Sequence, residues 1–157
     1  MNGFDVEFKI EALDGVLERL KVLPERFQRT GVRRAARKAM NLVRDAARAR
    51  ASRLDDPATA EQIAKNIVTQ ESGKAGRREG GIVMRVGVLG GASRKHGKND
   101  VRKGNPGGDT RHWLYLEIGS ETTPAQSFMR KSLANNVGAV TDTLVEELNI
   151  ELDRLGA

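Results

Sequence analysis

The stretch "ERFQRTGVRRAARKAMNLVRDAARARASR", residues 25–53, decides the fold. Within it Val32, Ala35, Ala36, Ala39, Met40, Val43, Ala46 and Ala47 recur at the 3.6-residue period and make one apolar helix face. Small side chains dominate that face, so whatever packs on it can come close. The remaining surface carries Arg26, Arg29, Arg33, Arg37, Lys38, Arg44, Arg48 and Arg50. Pro24 can stop a preceding helix and open this one, and Leu54-Asp55-Asp56-Pro57 breaks it at the far end. A helix of that length spans roughly 40 Å, which makes it the spine of so short a chain.

Toward the N-terminus, Phe4, Val6, Phe8 and Ile10 alternate with Asp5, Glu7 and Lys9, the period of a half-buried strand. Leu13, Val16, Leu17 and Leu20 then follow helical spacing up to Leu23-Pro24. Beyond the spine, a short helical piece is predicted near Thr59 to Lys65, and a strand over Asn66 to Gln70. Glu71 to Gly80 reads as polar and turn-like. Gly81 to Leu89 alternates Ile82, Met84, Val86 and Val88 with Val83, Arg85 and Gly87, a second strand. Residues 90–112, "GGASRKHGKNDVRKGNPGGDTRH", carry six basic residues against two acids and predict a flexible basic loop.

"HWLYLEIGSETTPAQSFMRKSL", residues 112–133, holds the only Trp and the only Tyr of the chain. Trp113 to Ile118 suits a short strand, and Gly119 supplies the positive φ that ends it. Thr123-Pro124-Ala125-Gln126 then reads as a capping box with Pro at the first helical position. From Met129 through Leu133, Val137, Val140, Leu144, Leu148, Leu152 and Leu155 one apolar stripe predicts a single C-terminal helix. That helix turns acidic at Asp142, Glu146, Glu147, Glu151 and Asp153. A basic spine and loop therefore face an acidic tail, an asymmetry that serves packing within a subunit or joining between subunits. The architecture expected is α+β: a small twisted, mainly antiparallel sheet with a long central helix and a long C-terminal helix.

The 157 residues fit one domain, 1–157, whose core is thin and aliphatic: 38% of residues are hydrophobic and only 4% aromatic. With 31% charged residues, such a chain is expected to complete its burial against neighbours. The net charge of +6 admits nucleic acid, an anionic surface or an acidic protein partner. No Cys is present, which removes disulfides, thiolate chemistry and Cys-based zinc sites. No basic n-region precedes an apolar run and no stretch reaches membrane-spanning length, so the expectation is a soluble protein made in the cytosol, without a membrane partner.

Chemistry is sparse. Gly91 to Asn99 follows a strand like a phosphate loop, but five residues separate Gly91 from Gly97 and Asn99 stands where a Ser or Thr hydroxyl would meet Mg²⁺. His96 and His112 have no convergent Asp or Glu spacing, so no metal is expected. Ser93 near His96 lacks any sign of an oxyanion hole, and Glu117 reads as a strand glutamate on a solvated face. No cofactor, metal or catalytic residue is expected. The arginines of the spine, with Arg94, Lys95, Lys98, Arg102 and Lys103 of the loop, are candidate contacts for DNA phosphates or a partner. Pairing of the basic face with acids of a neighbouring subunit is the reading favoured over direct DNA binding.

The order of parts resembles the small head–tail junction proteins of long-tailed bacteriophages, the tail-completion or type-one neck proteins related to the minor tail protein Z of lambdoid phages. The resemblance rests on the helix from Leu13 to Pro24, on "RRAARKAMNLVRDAARARA" at 33–51, and above all on a late signature. That signature is matched by Tyr115, Glu117, Gly119, Ser120, Pro124, Ala125, Phe128, Met129, Arg130, Ser132 and Leu133. Ile118 stands where the family commonly has Phe, and Ser127 where it often has a second Pro. The hinge after the long helix, "ASRLDDPATAEQIAKNIV", is a weak match. The resemblance implies a non-enzymatic virion protein acting as a homo-oligomeric ring, a hexamer favoured, between the capsid connector and the tail tube or tail terminator. It implies a ring that encloses the DNA channel, with its basic loops facing either channel DNA, in non-specific contact, or an acidic neighbour. The alternative is a small basic DNA-binding protein.

Overall fold

The computed structural model describes residues 13–92 and 104–156. The spine is α2, Glu25–Ala51, and it buries Gly31, Ala35, Ala39, Val43, Ala47 and Ala51. These are the small residues of the expected face, extended at both ends, while Ala36, Met40 and Ala46 flank it half-buried. Most of the other layers lean on this ridge. Helix α1, Leu13–Lys21, precedes it and is joined to it by the short turn at residues 22–24. After α2 come α3, Ile63–Asn66, and strand β1, Ile67–Glu71. Helix α4, Gly73–Glu79, leads to β2, Met84–Val88. Three more helices close the chain: α5, Trp113–Ile118, α6, Phe128–Ala134, and α7, Val137–Leu155. The fold is α+β.

The sheet is a two-stranded antiparallel pair in which Ile67 faces Val88 and Glu71 faces Met84. Two apolar clusters share α2. Near its start, Val16, Leu20, Ala35, Leu148 and Leu152 join α1, α2 and α7. Near its end, Ala47, Ala51, Ile63, Ile67 and Phe128 join α2, α3, β1 and α6, with Trp113 and Leu116 of α5 packed against them. The small α2 face explains how three layers reach one helix: Ala leaves room for backbones where Leu would hold them apart.

Several expectations are corrected. Trp113 to Ile118 is helix α5, not a strand. Trp113, Leu116 and Glu117 turn inward at helical spacing, while Tyr115 and Ile118 remain 39% and 57% exposed. A strand would have put Leu116 on the side opposite Trp113 and Glu117. The polar stretch after Glu71 forms α4, capped by the Ser72 Oγ accepting from Ala75 N at 3.3 Å and stopped by Gly80 in the left-handed region. The single C-terminal helix is two, α6 and α7, divided at Asn135-Asn136. Asn136 donates its Nδ2 back to the Ser132 carbonyl at 2.8 Å, which closes the first helix. Leu133 of the expected stripe is consequently 48% exposed. The alternating segment Phe4 to Ile10 lies outside the described residues.

The acidic tail meets its basic complement within the same chain. Lys38 Nζ reaches Glu147 Oε2 at 2.5 Å, Arg34 Nη1 reaches Glu151 Oε2 at 3.3 Å, and Arg19 Nη2 reaches Asp153 Oδ1 at 2.6 Å. Other α2 arginines close the outer edge of β1. Arg48 Nε donates to the Ile67 carbonyl at 2.9 Å, and Arg33 grips the Glu71 carboxylate through Nε at 2.6 Å and Nη2 at 3.1 Å. This hydrogen-bonded pairing with Arg33 holds the Glu71 carboxyl below its ordinary value against partial burial, with Arg37 and Arg29 adding to the attraction.

Candidate functional site

The late signature converges on one buried carboxylate. Glu117, expected on a solvated strand face, instead leaves α5 toward the start of α6 and is only 5% exposed. Its Oε2 accepts from Met129 N at 2.8 Å, and its Oε1 accepts from Arg130 N at 3.1 Å and Arg130 Nε at 3.1 Å. Arg130 Nη2 also donates to the Glu117 carbonyl at 3.1 Å. The first N–H groups of a helix have no partner inside it, and a carboxylate there satisfies them with a favourable charge. Glu117 is therefore the cap of α6, supplied from another helix.

That arrangement replaces the expected capping box. Thr123 and Gln126 begin no helix. Gln126 N instead donates to the Leu116 carbonyl at 2.7 Å and Ser127 N to the Glu117 carbonyl at 3.2 Å, so both N–H groups are spent on the end of α5. Pro124 sits exposed in this connector. The connector starts at Gly119, whose φ is 84°, and a Cβ there would stand 2.9 Å from Ala125 N and 3.1 Å from Thr123 O. Glycine is required on both counts. The connector ends at Ser127 with φ 51°, the only positive φ outside glycine among the described residues. Proline, common at this place in the resembling family, could neither adopt that φ nor donate the N–H. Phe128 follows at 2% exposure and anchors α6 in the second cluster.

Of the signature residues, the fold thus brings together Glu117, Gly119, Phe128 and Arg130. Tyr115 and Leu133 point elsewhere. Tyr115 lines an open cleft with Glu61, Ala92, Asp109, Arg111, His112 and Leu114. There Arg111 Nη2 pairs with Asp109 Oδ2 at 2.5 Å, and His112 Nδ1 lies 3.8 Å from Glu61 Oε2. Among the described residues no group of three or more His, Cys, Asp or Glu is placed to hold a metal ion. No helix among them is long and apolar enough to cross a membrane. Ser93, His96 and the loop cations Arg94, Lys95, Lys98, Arg102 and Lys103 lie outside the described residues.

Three positions that the sequence pattern did not single out organise the surroundings. Asn66, fully buried, donates its Nδ2 to the Gly108 carbonyl at 2.9 Å and to Thr110 Oγ1 at 2.8 Å, and its Oδ1 accepts from Gly107 N at 2.7 Å. Residues 107–110 are thereby pinned to the junction of α3 and β1. At Gly107 a Cβ would fall 1.9 Å from the Gln62 carbonyl oxygen, so no side chain fits. Asp55 repeats the theme of Glu117: its two oxygens accept from Ile63 N at 2.8 Å and Ala64 N at 3.2 Å and cap α3. The run of Gly and Asn in residues 104–108 is the visible signal for the first of these contacts.

Glu117, Asn66 and Asp55 thus join helices, strands and loops of one α+β module. The chain belongs to the bacteriophage HK97 gp10-like family, described as "Bacteriophage HK97-gp10, putative tail-component", whose model matches residues 14–119. The match takes in α1 through α5 and stops at Gly119, so most of the Glu117–Leu133 signature lies beyond it. No curated protein and no solved structure matches the chain. Membership supports a structural role in a phage tail.

Proposed function

We propose that this protein is a non-enzymatic virion component of the head–tail interface, a tail-completion or neck protein. It assembles as a homo-oligomeric ring, a hexamer favoured, between the capsid connector and the tail terminator or tail tube, and encloses the DNA channel. The domain is the whole of 1–157, and Arg94, Lys95, Lys98, Arg102 and Lys103 of its basic loop contact a partner or channel DNA. The observation that carries this reading is membership of a tail-component family over more than half of the chain. Exposed apolar side chains support it: Val22, Tyr115, Ile118 and Leu133 leave a single subunit with surface suited to neighbours.

The runner-up, a small basic DNA-binding protein that uses the arginine face of α2, loses most of its surface. Arg33, Arg34, Lys38 and Arg48 are engaged with Glu71, Glu151, Glu147 and the Ile67 carbonyl of their own chain. Sedimentation and negative-stain imaging of the protein, alone and with purified tails or capsids, test the proposal. Closed rings, or rings formed on addition of a partner, are the expected result. A strict monomer under all these conditions would overturn it, and labelling of the particle away from the neck would overturn the placement.

A further inference from the structure

The basic residues of α2 fall into two groups. All seven from Arg29 to Arg48 have acceptors within the chain: Glu25 for Arg29, Glu71 for Arg33, Glu151 for Arg34, the Thr69 carbonyl for Arg37, Glu147 for Lys38, Asp45 for Arg44 and the Ile67 carbonyl for Arg48, while Arg26 ahead of them lies over the Phe27 ring. At the C-terminal end the pattern stops. Arg50 and Arg53 converge with Lys131 of α6 on a groove floored by Leu54 and Phe128 and bordered by Gln126. Among the described residues, none of these three cations has a hydrogen-bond or ion-pair partner and no Asp or Glu lines the groove. Arg50 is moreover half-buried.

Capping of α2 does not account for them. Cations near a helix C-terminus are favourable in general, but here the last carbonyls are already taken. Ser52 N donates to Arg48 O, Arg53 N to Arg50 O, and both Leu54 N and Asp55 N to Ala51 O. Ser52 Oγ takes Ala49 O. The guanidinium donors are left pointing to the groove. Lys131, on a different helix, donates no hydrogen bond to the last carbonyls of α2.

We propose that this groove between the end of α2 and α6 binds the phosphodiester backbone of DNA, independently of sequence, through Arg50, Arg53 and Lys131. Guanidinium forks fit phosphate oxygens in paired hydrogen bonds, and the lysine adds a point charge. A nucleic-acid strand brings one charge per 3.4 Å of rise, so one short run of backbone meets all three cations. An acidic peptide would need three carboxylates at matched spacing. The Phe128 ring is buried rather than presented, so the groove offers no stacking platform for bases and reads charge alone. This inference is compatible with a ring around DNA but does not rest on it.

The test is binding of the full-length protein to a labelled duplex of mixed sequence, followed by anisotropy across a salt series. Removing one phosphate-binding cation should flatten the slope of log K against log salt by about 0.9. The variant carrying Arg50→Gln, Arg53→Gln and Lys131→Gln should therefore show a slope shallower by about 2–3, with weaker binding at low salt. Its circular dichroism and sedimentation should match wild type, which separates weakened DNA binding from failure of the ring. Arg53→Gln alone, at an exposed position, should remove about one unit and guards against misfolding of the combined variant. An unchanged slope in both variants overturns the proposal. So does abolition of the whole slope by neutralising Arg94, Lys95, Lys98, Arg102 and Lys103. Binding of polyglutamate through the same three residues, with no binding of duplex, would make the groove an acidic-peptide site and overturn it equally.

Discussion

Replacing Glu117 by Gln separates a structural carboxylate from a reactive one. Both carboxylate oxygens accept backbone N–H groups, Met129 N at 2.8 Å and Arg130 N at 3.1 Å. Glutamine keeps the shape, but either placement of its amide turns an NH₂ group toward one of these donors. One charge-assisted hydrogen bond is lost, about 1.5–3 kcal/mol, and a donor is left facing a donor, a further penalty of about 1–3 kcal/mol. These terms overlap, so the expected cost is about 2–4 kcal/mol. For a domain of this size that lowers Tm by about 5–15 °C. The Arg130 guanidinium should matter far less. It is 66% exposed, so Arg130→Gln should cost no more than about 1 kcal/mol. Urea denaturation of the variants, read as the midpoint at constant m and repeated at several protein concentrations to hold assembly fixed, measures both values. Glu117→Gln particles that do assemble should be infectious. A variant as stable as wild type would refute the capping role, and stable, well-formed but dead particles would give Glu117 a chemical one.

The same geometry sets the remaining expectations. Thr123→Ala should be nearly neutral in denaturation, because Thr123 begins no helix, whereas Phe128→Ala should cost roughly 3–5 kcal/mol for a buried ring. Gly107→Ala should prevent residues 107–110 from docking beside Asn66, seen as a large loss of Tm, because a methyl has no space 1.9 Å from the Gln62 oxygen. The Arg33–Glu71 pair predicts an acid limb. A carboxyl with a lowered folded-state pKa contributes stability fully above the ordinary glutamate range and loses it as pH falls through the lowered value. Arg33→Gln should therefore reduce stability at neutral pH and flatten its decline on acidification, which denaturation at a series of pH values will show.

Helix α2 forms from signals that need no remote partner. A period of small residues continuing over 27 residues, opened after Pro24 and ended before Pro57, leaves no competing local structure. The same holds for β2, where alternation and Gly-rich flanks agree, and for Gly119, whose positive φ is legible from its place between an apolar run and a polar turn. Local pattern fails where the partner is remote. At Trp113 to Ile118, aromatic and branched residues favour a strand by local preference, and it takes the second cluster to reward the helical spacing of Trp113, Leu116 and Glu117. At Thr123 to Gln126 a good local cap loses to Glu117, because the N–H groups it would have served are claimed by the end of α5. Whether the acidic tail pairs within or between subunits is likewise undecidable from charge order. Only the packing of α7 along α2 puts Glu147 and Glu151 beside Lys38 and Arg34. Periodic, local signals in the amino-acid order are thus enough for the long helix and the second strand. Which buried polar groups meet is settled by packing, since a carboxylate caps a distant helix only after folding has brought the two together.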